Sequence, residues 1–165
     1  MMRRSSRVIP LMTLSAAACL ALSACQWTTD ISRSIDVSIS SDREVVSRAT
    51  PATISVTMVN RGSSDVEVAA PQTYGCMPPF EVTESSGRKV ELPGRICALP
   101  AFAPVLLRPG ATLSVQGRWA ADRADGNGIT DVAPVTPGEY RLTARVFGAK
   151  RVLTSSPVVV TVIAR

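Results

Sequence analysis

The chain is 165 residues long, enough for one domain of ordinary size with a self-sufficient core. Its hydrophobic share of 45% comes with only 4% aromatics, which favours strands over a large aromatic ligand cleft. It contains no histidine, which excludes a Ser-His-Asp triad, a Cys-His dyad and any His-ligated zinc or iron site. The formal charge of +5 overstates the basic character: three of the 18 basic residues, Arg3, Arg4 and Arg7, lie in the first 24 positions, so the rest carries 15 against 13 acidic residues, a net +2. A dispersed excess of that size does not make the basic stripe that nucleic acid requires. Neither a Gly-x-Ser-x-Gly elbow, a P-loop nor a dinucleotide fingerprint occurs.

Residues 1–24 combine the parts of a secretory signal: a basic head, an apolar run from Val8 to Leu22, then small residues. The run is shorter than the roughly 20 residues of a permanent spanning helix, so cleavage is expected. Leu22-Ser23-Ala24-Cys25 resembles the bacterial lipobox, which implies that Cys25 becomes a lipidated N-terminus anchored to a membrane. Gln26 follows the cysteine where aspartate would favour inner-membrane retention. That resemblance implies the outer membrane, facing the periplasm, in a Gram-negative host. Residues 25–34 then read as the lipidated terminus and a polar tether, whose nine residues after Cys25 reach about 30 Å when extended.

From Ile35 to Arg165 apolar residues recur at every second position, the period of a half-buried strand. Ile35, Val37 and Ile39 open the series. Ile54, Val56 and Met58 lead through the turn-rich Asn60–Asp65 into Val66 and Val68, which reads as a hairpin. Phe80–Val82 and Val90–Leu92 flank Gly87 and predict a second hairpin. Leu113 to Trp119 alternate after Pro109-Gly110, Tyr140 to Val146 alternate after Pro137-Gly138, and Val158, Val160 and Val162 form a closing strand. The expected fold is all-β, an immunoglobulin-like antiparallel sandwich of about eight strands.

Ala120 to Val135 is the longest stretch without periodicity and reads as a solvated loop. Its Asp122, Asp125, Asn127 and Asp131 suggest calcium, but the spacing does not fit an EF-hand and Ile129 stands where a ligand belongs. No metal or cofactor is expected. Cys76 and Cys97 are the thiols left once Cys25 is acylated, and the exported compartment favours a disulfide between them, worth roughly 3 kcal/mol in the chain-entropy model. Free thiols or an intermolecular bridge are the alternatives. Lys89 and Lys150, the sole lysines, lie outside any Ser-x-x-Lys motif and read as solvated turn charges.

The segments TISVTMVNRGSSDVEV, LLRPGATLSVQGRW and VTPGEYRLTARV, with the closing VVVTV, resemble the BsuPI intracellular proteinase inhibitor domain over roughly residues 54–163. The matching elements are Asn60 to Ser63, Leu107 to Gly110 with Trp119, and Pro137 to Tyr140. Trp119 and Tyr140 read as core pieces of a sandwich. The expected function is a membrane-anchored, non-catalytic lipoprotein whose loops bind a protein or envelope component. The resemblance implies an alternative, a proteinase inhibitor acting outside the cytoplasm through a rigid loop.

Overall fold

The period-two pattern is strictest in β3 (Ala52–Asn60), where Ala52, Ile54, Val56, Met58 and Asn60 are buried and the residues between them are not. A computed structural model describes residues 34–69, 78–93, 104–126, 131–148 and 152–164. In it β3 is the centre of a three-stranded antiparallel sheet, with β1 (Ile35–Ser41) on one side and β8 (Thr112–Trp119) on the other.

The facing sheet is organised by β11 (Gly138–Gly148), which buries Tyr140, Leu142, Ala144 and Val146. One edge of β11 pairs with β13 (Val158–Val162) and then β12 (Val152–Thr154); the other pairs with β5 (Phe80–Glu84) and then β4 (Val66–Ala69). Beyond them lie β6 (Lys89–Val90) against β5, β7 (Pro104–Leu107) against β4, and β2 (Val45–Val46) against β13. The β2–β13 pair is parallel, an exception to the antiparallel expectation.

The two sheets enclose one core in two adjoining halves. One contains Ile54, Phe80, Trp119, Tyr140 and Leu142, the other Ile35, Val56, Met58, Val146 and Leu153; Ile39 packs against both. Trp119 and Tyr140 meet edge to face at 5.5 Å between ring centres. The Tyr140 hydroxyl donates to the Thr136 carbonyl at 2.7 Å, the tyrosine corner of immunoglobulin-like sandwiches. The fold is an all-β, immunoglobulin-like sandwich; among the described residues eight strands have four or more residues.

Three sequence expectations are corrected. The Ile54–Val68 segment is not a hairpin, because β3 pairs with β1 and β8 whereas β4 pairs with β11 and β7 in the other sheet. The turn carries the chain across the sandwich, and buried Asn60 holds the crossing. Its Nδ2 donates to the carbonyls of Ser64 and Leu107, and its Oδ1 accepts from the Gly62 amide. Ala120–Val135 is not wholly a loop: β9 (Asp122–Ala124) and β10 (Val132–Pro134) pair within it. Lys89 is exposed, as a solvated charge would be, but it lies on β6 and not in the turn, and it pairs with Glu81 at 2.9 Å. The second predicted hairpin is present, with Val82 opposite Val90 and Gly87 at a φ of 85°.

Along β11, β4 and β5 lie end to end, and β7 and β6 lie end to end beside them. The Ala69–Pro104 and Val82–Val90 pairs therefore mark a break in both strands at one level.

Candidate functional site

Strand directions sort the connections between two ends. Ile35 pairs with Asn60 at one end of the three-stranded sheet, and Ser41 pairs with Ile54 toward the other. Ala52 pairs with Trp119 at that far end, and the Trp119–Tyr140 contact places the start of β11 there too. Residues 42–51, the 85–88 turn and residues 120–126 and 131–137 thus gather at the end remote from Ile35.

The loop end is bound together by polar contacts. Asp42 accepts from the Thr53 amide at 2.8 Å and pairs with Arg43; the backbone bond first, then Arg43, holds its carboxyl below the ordinary range. Glu84 takes two bonds from Arg88, at 2.9 and 2.6 Å, and these likewise lower its carboxyl. Arg48 Nε lies 2.8 Å from Asp122 Oδ1, an ion pair rather than an aligned hydrogen bond. Trp119 Nε1 donates to the Asp122 carbonyl. Asp122 is thereby engaged, Asp125 meets Asp131 through the backbone at 3.0 Å, and Asn127 lies outside the described residues. Among the described residues no three His, Cys, Asp or Glu side chains converge to hold a metal ion.

A second surface is the outer face of the large sheet. Because Val146, Leu153, Val68 and Leu107 point inward, their strand neighbours point out. Val152, Phe147, Ala69 and Pro104 form one row across β12, β11, β4 and β7, with Leu106 opposite Glu67 beside it. Leu106 is 59% exposed, Phe147 42% and Val152 38%. Arg145 bounds the row, its guanidinium 5.6 Å from the Phe147 ring centre. Arg145 also reaches Glu81 at 2.5 Å, so Glu81 lies between Arg145 and Lys89. Partial burial opposes ionisation of Glu81, but hydrogen bonds from Lys89 and Arg145 outweigh it and lower its carboxyl.

Cys25, Cys76 and Cys97 lie outside the described residues, as does Lys150. Trp119 and Tyr140 are core residues, 3% and 2% exposed. The outer row went unread in the sequence although one signal was present: Phe147 falls out of phase with Tyr140, Leu142, Ala144 and Val146 on the same strand.

No family model and no curated protein matches the chain. Among solved structures it is similar to part of a β-glucosidase from Erythrobacter marinus, at 17% identity and a TM-score of 0.44 over 79% of this chain and 15% of that one. It is also similar to the CARDB domain of a Pyrococcus furiosus protein, solved with di-metal ions, at 18% identity and a TM-score of 0.41 over 78% of this chain and 87% of that one. The C-terminal domain of Wzt gives 9% identity and a TM-score of 0.45 over 80% and 75% of the two chains. The chain spans 15% of the β-glucosidase, whose activity belongs to that protein.

Proposed function

We propose that the chain is an exported lipoprotein, acylated at Cys25, whose non-catalytic sandwich presents its loops to a protein or envelope component. One observation carries this reading: Ile35, where the tether joins the sandwich, and the loop cluster of 42–51, 85–88, 120–126 and 131–137 lie at opposite ends. A domain held by its N-terminus at a membrane would keep those loops at the end remote from its attachment. The ion pairs that brace them suit a pre-ordered binding surface, which loses less entropy on association. Contact between the Asn60 turn and Leu107 supports the resemblance to the BsuPI domain. The described residues that flank the two cysteine-bearing segments lie side by side, Ala69 opposite Pro104 and Val82 opposite Val90, which supports a Cys76–Cys97 disulfide.

Cys25→Ala should move the chain from the membrane fraction to the soluble envelope fraction; unchanged fractionation and processing would refute the anchor. Photo-crosslinkers at Ser86 and Arg123 in intact cells should capture one discrete partner, and a crosslinker at Ser64 should not. Stoichiometric slowing of a subtilisin-like protease would favour the inhibitor reading instead. The non-reduced mature chain should be two hydrogens lighter than the reduced one, and labelling of both thiols would refute the bond.

A further inference from the structure

We infer that the outer face around Leu106, Phe147 and Val152 rests on the surface of the phospholipid bilayer that holds the lipid of Cys25, an inference built on the anchor reading above. The tether's end is the first ground. Ile35 shares its half of the core with Val146 and Leu153, whose strand neighbours Phe147 and Val152 face outward in one register pair. The row and the tether therefore lie at the same end of the sandwich. Packed sheets are about 10 Å apart, so nine tether residues with a reach of about 30 Å are long enough to bring Cys25 to the outer face.

The chemistry of the row is the second ground. Leu106, Val152, Ala69 and Pro104 offer only carbon, and Phe147 adds a ring that suits the headgroup boundary. Arg145 and Glu67 border the row with opposite charges. The arginine stem can lie along the acyl boundary while its head stays wet, and Glu67 offsets attraction to anionic lipid. The contact is therefore apolar, and salt leaves it in place. The anchor supplies the rest: once the chain is tethered, seating the row is an intramolecular event at high effective concentration, so a modest patch is enough. Val159, also exposed, lies opposite Arg141 nearer the loop end and stays in water.

The test places a photo-crosslinking amino acid at Leu106 or at Val159 in the full chain, irradiates intact cells, and reads adducts and Cys25 acylation by mass spectrometry in one sample. Both positions are exposed, so neither change disturbs the core. Phospholipid adducts at 106 and none at 159, unchanged when salt is raised in isolated membranes, are expected. Acylated Cys25 with no lipid adduct at 106, equal adducts at both positions, or a protein captured at 106 would overturn the seating and leave the anchor intact. An unacylated Cys25 would overturn the anchor and the seating with it.

Discussion

Asn60 Nδ2 donates to the carbonyl of Leu107 across 2.8 Å inside the sandwich, joining two turns far apart in sequence. The backbone repeats the link, because the Asn60 amide donates to Ala111 and the Gly110 amide to the Asn60 carbonyl. A single buried amide side chain thus satisfies both the Asn60–Ser64 crossing and the turn that leads into β8.

Asn60→Ala should remove both Nδ2 bonds and leave the Leu107 carbonyl buried without that donor, at a cost of about 2–3 kcal/mol. Asn60→Asp should cost at least as much, since it buries a carboxylate against two carbonyls. Urea denaturation measures both; an aspartate variant as stable as the parent would contradict this role.

Gly117 lies on the inward phase of β8, and a Cβ there would fall 2.8 Å from Phe80 Cε1 and 3.0 Å from Pro79 Cδ. The Phe80 ring occupies the space that a side chain on the opposite sheet would need. Gly117→Ala should cost about 1–3 kcal/mol by overpacking. Combined with Phe80→Leu, the loss should be smaller than the sum of the two single losses; simple additivity would show that the two positions do not share this space.

Glu81 links pH to stability. Its folded carboxyl titrates below its ordinary value, so its contribution is complete above the unfolded-state value and is lost as pH falls through the folded one. The urea midpoint should drop on acidification from neutrality, and Glu81→Gln should flatten part of that drop. Each exposed pair contributes at most about 1 kcal/mol. Asp42 and Glu84, also lowered, account for acid sensitivity that remains in the variant. Parallel curves for parent and Glu81→Gln would count against the link.

Tyr140→Phe keeps the edge-to-face contact with Trp119 and loses the hydroxyl's bonds to the Thr136 carbonyl and to Thr136 Oγ1. The expected loss is about 1 kcal/mol, with the near-ultraviolet signal of Trp119 preserved. A collapse of that signal would mean that the hydroxyl positions the whole core rather than one corner.

Much of the fold was legible because side-chain direction alternates with every residue of a strand. Ile54 and Val56, Val115 and Trp119, and Tyr140 and Leu142 disclose their buried faces without reference to any partner strand. Gly87 disclosed its hairpin because a short connection between two alternating runs has few other solutions. The Asn60–Asp65 turn misled for the same local reason: its composition specifies a reversal, but not whether the returning strand joins the same sheet. That choice is made by the pairing of β4 with β11 and β7, and the bond from Asn60 to Leu107 ties the crossing to that sheet. β2, β7 and β12 are two to four residues long, too short to show a period, and exist because an edge was available to pair with.

By itself, the sequence determined an all-β domain, its main buried faces and its turn chemistry; the N-terminal residues and Cys25 carry the export reading. Only the tertiary structure decided which strands share a sheet, that Lys89 and Arg145 meet at Glu81, and that Leu106, Phe147 and Val152 share one exposed face at the Ile35 end. Alternation is a local steric property of each strand, whereas these neighbours are set by register between segments many residues apart.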